Sequence, residues 1–415
     1  MTLLALIVVF AVGFPAARRA DGDAPLLRCL GESFLLGIGI CAMTLFALSI
    51  IGVRWTLLRA LIAVLIVMIA VTRRAPLRLR VERLQVIDLL TLATIVGYAL
   101  FATVAPPAEI DFIADWGLKA RTFAAHGGIN WSFLQNAWYR WDHPDYPPLL
   151  PLTFDWITLF SGDWSPQSLG MLYPAIGLAL LAIIRSLFAD EFASPFLASL
   201  ATLAIAPLAL SPWIGIAEAP IVAFGTAAVL LGRRGLMIPA ALMLGFATMT
   251  KNEGLAMLVA FAIALALTQP RLVPKLWPAV AIALPWLAAR AIFGLSTGLI
   301  GGPILTRALE RMRTPQILAS AFIKYATGAP LLWIGVVIAL AVSFRMLREE
   351  AFALLWIGIE FAFYIAAYLV TESDVAWQVR WSWERLVSHL TPTLAFIAIV
   401  LLWRLATRGT MTTNA

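Results

Sequence analysis

Between Pro106 and Ser168 the chain gathers seven carboxylates, Glu109, Asp111, Asp115, Asp142, Asp145, Asp155 and Asp163, into one polar stretch between apolar runs. That stretch opens Glu109-Ile-Asp-Phe-Ile-Ala-Asp-Trp-Gly-Leu-Lys-Ala-Arg121, with Asp111 and Asp115 four residues apart and Lys119 four further on. On an α-helix this spacing is one face. A carboxylate at a lipid boundary beside cations can act as a general base toward a hydroxyl while the cations hold an anion. The same spacing also suits a solvated first turn, where acidic residues favour the helix N-terminus. Further on, His143-Pro-Asp-Tyr-Pro-Pro-Leu-Leu-Pro151 places four prolines in eight positions. Proline fixes φ and cannot sit inside a helix, so the backbone is stiff where His143, Asp145 and Tyr146 project. That stiffness serves either a platform for substrate-binding groups or a connector into the next helix.

The elements that must position these residues follow from composition. The chain has 415 residues, 62% hydrophobic and 13% charged, with a mean hydropathy of +0.91; soluble domains run at about 45–50% apolar and about 25% charged. No soluble interior buries that much apolar surface. Apolar runs stand at Leu3–Ala17, Ser33–Ile51, Leu57–Val71, Leu84–Ala105, Leu169–Phe188, Pro195–Leu210, Ile216–Leu231, Leu236–Met249, Leu255–Leu267, Leu276–Phe293, Gly328–Phe344, Ala351–Val370 and Leu390–Trp403. They predict an all-α polytopic membrane bundle of about thirteen spans, because backbone groups in hydrocarbon must be satisfied within each segment and the runs lack a strand's alternation.

The net charge of +7 and pI of 9.8 do not point to nucleic acid, since the basic residues lie in short clusters beside apolar runs and form no single basic face. They sort as topology signals instead. With the N-terminus outside, cytoplasmic loops hold Arg18, Arg19 and Arg28, the Arg73 to Arg83 cluster, Arg185, Arg233 and Arg234, Arg271 and Lys275, Arg345 and Arg348, and Arg404 and Arg408. The 106–168 stretch then falls outside. It is expected to carry one or two short helices at the membrane surface, with Trp116, Trp131, Trp138, Trp141 and Trp156 at interfacial depth. The first segment has Arg18 and Arg19 after its apolar stretch and none before it, the reverse of a cleavable secretory signal, so it is expected to be retained. Cys29 and Cys41 stand twelve positions apart, too far to bridge along a helix.

Cations that could hold an anion at the outer boundary are Lys251, Arg380 and Arg385, with Arg307, Arg311, Arg313 and Lys324 in the 294–327 stretch; Lys251 also suits simple snorkelling from a helix end. Arg380 and Arg385 stand among Trp377, Trp381 and Trp383, an aromatic belt in its own right. His389 near a span end suits interfacial packing, and Glu360 stands alone in an apolar run, where an ionisable group by default marks function or a partner. The only histidines are His126, His143 and His389, without paired ligand spacing, so no metal is expected. Asp111 with Asp145 could bind a divalent ion.

The span-terminal aspartate followed by Trp-Gly-Leu-Lys-Ala, with the Asp-Tyr-Pro-Pro loop, resembles the polyprenyl-phosphate-sugar-dependent membrane glycosyltransferases of the GT-C superfold, related to the protein O-mannosyltransferases and the lipid A aminoarabinose transferases. Thr250-Lys-Asn-Glu-Gly254 is similar to a Thr-Lys-Gly-Pro-like turn in those enzymes, and Arg385-Leu386 with His389 extends the likeness. The resemblance runs from about Leu84 onward. It implies an N-terminal addition of spans over residues 1–83 and a GT-C-like catalytic module over 84–415 with its outer loop at 106–168. By its spacing to Trp116 and Lys119, it implies Asp111 as catalytic base, with Asp115, Lys119, His143, Asp145 and Tyr146 toward substrate and Lys251, Arg380 and Arg385 toward lipid phosphate. Asp115 departs from the pattern, which has an apolar residue there.

The activity implied is transfer of a sugar from a polyprenyl-phosphate carrier to a glycan, lipid or protein hydroxyl at the periplasmic face of a bacterial inner membrane, with inversion at the anomeric carbon and without nucleic acid. Sugar-phosphate donors of this sort do not obviously need the divalent ion that Asp111 with Asp145 could bind. The rival is a transporter or flippase for a lipid-linked saccharide, which would place more charge at mid-membrane. A polymerase or ligase for diphosphate-linked glycans would be expected to show a larger outer loop with paired arginines.

Overall fold

The computed structural model describes residues 1–72, 80–139, 143–295, 303–325 and 330–412. It is all-helical, with no strand among the described residues beyond an isolated bridge of Pro25 with Arg80. A helix occupies each of the thirteen apolar runs. Six are long and apolar enough to cross a membrane, within Thr2–Ala20, Leu26–Ile50, Val86–Val104, Pro166–Glu191, Pro270–Phe293 and Phe344–Val370. A pair bent by 46°, Val375–Ser388 with Thr391–Thr407, would make a seventh. The others are short: Met237–Thr248 has 12 residues, or about 18 Å against a hydrocarbon core of about 30 Å.

One continuous apolar core runs from Ala5 to Leu401. The first two helices share it, since Leu26–Ile50 packs against Leu172–Glu191 and Arg28 reaches Asp190 at 3.0 Å. Cys29 and Cys41 are both free and buried on that helix.

The 106–168 stretch departs from the expected surface loop. Short helices Gly117–His126 and Trp131–Leu134 are present, but Leu149–Ser161 is a further helix sunk into the bundle. Trp156 is fully buried and its Nε1 donates to the Ala5 carbonyl, and Trp116 is buried as well. Trp131 stacks on Phe293 at 4.1 Å; only Trp138 stands fully exposed, and Trp141 and Asp142 lie outside the described residues. The proline pattern hid this helix. Pro148 is its N-cap and Pro151 falls in its first turn, where no backbone donor is required.

Candidate functional site

Glu218 and Arg233 begin and end one sixteen-residue helix, so ionic clusters around them stand about 24 Å apart. Around Glu218, charges from four separate stretches meet. Its Oε1 accepts from Arg385 Nε at 2.6 Å and from Lys251 Nζ at 3.1 Å. Arg385 Nη1 reaches Asp111 Oδ2 at 2.6 Å, and Lys251 Nζ lies 2.9 Å from Glu253 Oε1. The result is an unbroken alternation, Asp111, Arg385, Glu218, Lys251, Glu253.

Two glycines allow these stretches to meet. A Cβ at Gly254 would lie 2.0 Å from the Ala247 carbonyl oxygen, so only glycine lets the Thr250 to Gly254 turn fold back tightly and carry Lys251 and Glu253 inward. Gly215, at φ +98°, packs against Pro107 and Phe112, which brings the start of the Glu218 helix beside Asp111. Burial pulls the Lys251 ammonium down, but Glu218 and Glu253 outweigh it and hold it above its ordinary value.

The proline-rich stretch forms a second layer. Asp145 is fully buried, its Oδ2 accepting from Asn252 Nδ2 at 2.7 Å and standing 3.4 Å from Arg290 Nη2. Its carbonyl accepts from Trp286 Nε1 at 3.3 Å. His143 takes a left-handed backbone, φ 53°, rare outside glycine. Its ring stacks on Tyr146 at 4.3 Å, and Tyr146 stacks on Trp116 at 5.5 Å. Burial first, and then the Lys119 charge, lowers the His143 imidazole to about 4.

Asp115 and Lys119 do not face the site as one surface with Asp111. Residues Phe112–Trp116 form a π-helical turn, whose wider i→i+5 winding separates Asp111 from Asp115. Asp115 is buried, 2.5 Å from Lys119 and accepting from the Tyr139 hydroxyl at 3.0 Å. Lys119 also donates to the His143 carbonyl at 2.6 Å and lies within 6 Å of the Trp116, Tyr139 and Tyr146 ring centres. The pair braces the opening helix against the proline-rich platform.

Of the three cations expected together, Lys251 and Arg385 meet on Glu218, while Arg380 is exposed and stacks over Trp381. Arg307 and Arg311 bond the carbonyls of Val370, Tyr368 and Ser373, capping a helix end; Arg313 and Lys324 are exposed. Asp111 and Asp145 pair with different arginines, and among the described residues no group of three or more His, Cys, Asp or Glu could hold a metal ion. His389 is fully buried at the break between helices, its Nδ1 3.2 Å from the Tyr364 hydroxyl; Glu360, one turn before Tyr364, is buried too.

Several buried atoms in this region have no hydrogen-bond partner among the described residues: Glu218 Oε2, Glu253 Oε2, Asp145 Oδ1, His143 Nδ1 and His389 Nε2. Unpaired buried polar groups are costly, and here five of them gather around two layers of charge that Asn252, next to Lys251, joins through Asp145 and Arg290. A crevice lined by Pro147, Asn252, Leu255, Trp286, Leu287 and Arg290 lies beside them. Glu218 and Arg290 were not singled out from sequence, and Asn252 and Glu253 entered only as members of the Thr250–Gly254 turn. Glu218 and Arg290 each had a usable signal, an ionisable residue inside an apolar run.

No family model matches this chain, and no curated protein or solved structure matches it either.

Proposed function

We propose that the chain is a GT-C-type membrane glycosyltransferase, of about thirteen spans, that moves a sugar from a polyprenyl-phosphate carrier to an acceptor hydroxyl at the periplasmic face of a bacterial inner membrane. The observation that carries this reading is the alternating charge chain from Asp111 to Glu253, set beside buried polar atoms without protein partners. In the proposed reaction the acceptor oxygen attacks the anomeric carbon as the bond to phosphate breaks, inverting that carbon. Asp111 takes the acceptor's proton. Lys251 and Arg385 stabilise the negative charge left on the carrier phosphate, which needs charge more than it needs a proton. His143, Asp145 and Tyr146 stand on the platform side, where sugar hydroxyls would be met, and Asp115 with Lys119 positions that platform.

The test is transfer from undecaprenyl-phosphate-linked sugars by protein purified into nanodiscs, read as release of undecaprenyl phosphate. Asp111→Asn is expected to lower the rate by about 10²–10⁴-fold. Full transfer by that variant would remove Asp111 as base. Movement of an intact lipid-linked saccharide across vesicles, without bond cleavage, would instead make the chain a transporter.

A further inference from the structure

The proposed base is not free. Asp111 Oδ2 accepts from Arg385 Nη1 at 2.6 Å, and the same guanidinium is tied through Nε to Glu218 at 2.6 Å. The two contacts differ in kind. Glu218 is wholly buried and also held by Lys251, whereas the Asp111 side chain is 35% exposed. A guanidinium presents its two Nη groups as a fork suited to phosphate, and here Nε is the anchored corner while the Nη edge faces the exposed partner. The charge balance points the same way. Asp111, Glu218 and Glu253 outnumber Lys251 and Arg385 by one, so an entering phosphate finds no surplus cation and must draw one from a carboxylate. Asp111 is the only carboxylate of the three that is more than a third exposed.

Resting on the proposed function above, we infer that the phosphate of a polyprenyl-phosphate carrier competes with Asp111 for the Nη edge of Arg385, so that Asp111 is released to take a proton only when the donor is seated. Glu218 is the positioning residue that keeps the guanidinium in place during the exchange. Arg385 thereby couples donor arrival to exposure of the base, and an acceptor alone meets an engaged carboxylate.

The experiment measures undecaprenyl phosphate binding to the full chain in nanodiscs. Removing the competitor with Asp111→Asn is expected to tighten the lipid's Kd roughly two- to fivefold, the scale of a partly exposed ion pair. In an Arg385→Gln background the gain should vanish. A second readout needs no variant: carbodiimide coupling of Asp111 to an amine, followed by mass spectrometry, should rise several-fold when undecaprenyl phosphate is added. Millimolar inorganic phosphate should leave that labelling unchanged. Weaker or unaltered binding by Asp111→Asn, or labelling that stays level or falls while the lipid is bound, overturns the exchange. Equal release by inorganic phosphate overturns the lipid part of it. No binding of undecaprenyl phosphate at any concentration overturns the donor assignment itself, and the inference with it.

Discussion

The two ends of the Glu218–Arg233 helix hold similar numbers of charges and use them differently. At the Arg233 end, Arg233 bonds Glu350 at 2.5 Å and Glu191 at 2.6 Å, and Arg404 bonds Glu191, Glu349 and Glu350 between 2.8 and 3.2 Å. Arg28 closes on Asp21 and Asp190, and Arg234 on Asp190 and Glu191. With Arg80, five arginines meet six carboxylates, because Arg28 Nε also lies 3.9 Å from Glu32; no oxygen of Asp21, Asp190, Glu191 or Glu350 is buried without a partner, and the two that are belong to Glu32. At the Asp111 end, Lys119, Lys251, Arg290 and Arg385 meet five carboxylates, Asp111, Asp115, Asp145, Glu218 and Glu253, and buried atoms stay unpartnered. Each end is therefore one cation short, and the difference lies in where the shortfall falls. At the Arg233 end it is confined to Glu32, one turn from Arg28, while the other carboxylates are fastened; at the Asp111 end it is spread over Asp145, Glu218 and Glu253, where a ligand's donors could be met.

Arg233 is the position most costly to lose. Arg233→Met removes a buried cation shared by two carboxylates and should cost about 3–5 kcal/mol, seen as a large fall in Tm, while the folded fraction keeps its affinity for undecaprenyl phosphate. Equal Tm in the variant would end the structural reading of that end. At the Asp111 end, Lys251→Gln still donates a hydrogen bond to Glu218 but loses the charge. Transfer should fall by roughly 10²–10³-fold, with a smaller Tm change than Arg233→Met. A reversed order of the two Tm shifts would erase the contrast.

The smallest effect is acid sensitivity at His143. Its folded value of about 4 lies below the ordinary 6.5, so the unfolded chain binds the proton more readily. The stability His143 contributes is complete above about pH 6.5 and is lost as pH falls through 6.5 toward 4. His143→Asn, which tolerates positive φ, should show a shallower drop in Tm across that window; parallel curves would contradict it.

Much of the fold was legible because hydrocarbon leaves a chain few options: every apolar run became a helix. Span length was less legible, since a run such as Leu236–Met249 does not reveal that its 12-residue helix ends at a turn folded back on Gly254. Asp111, Lys251 and Arg385 were readable as boundary charges that meet. Arg380 was not separable from Arg385 by composition, yet five positions on a helix turn about 140°, which already forbids a shared face. Asp115 was misplaced because the π turn at Phe112–Trp116 has no simple sequence signature. Glu218 was hidden by its apolar neighbours, although it is the residue on which both site cations meet.

The most direct measurement is a structure of the protein in nanodiscs with undecaprenyl phosphate. The phosphate is expected against Lys251 and Arg385, facing Asp111, with the isoprenoid chain running between helices from that end. A phosphate seated at the Arg233 and Arg404 end, or a water-filled path across the bilayer through the bundle, would contradict it.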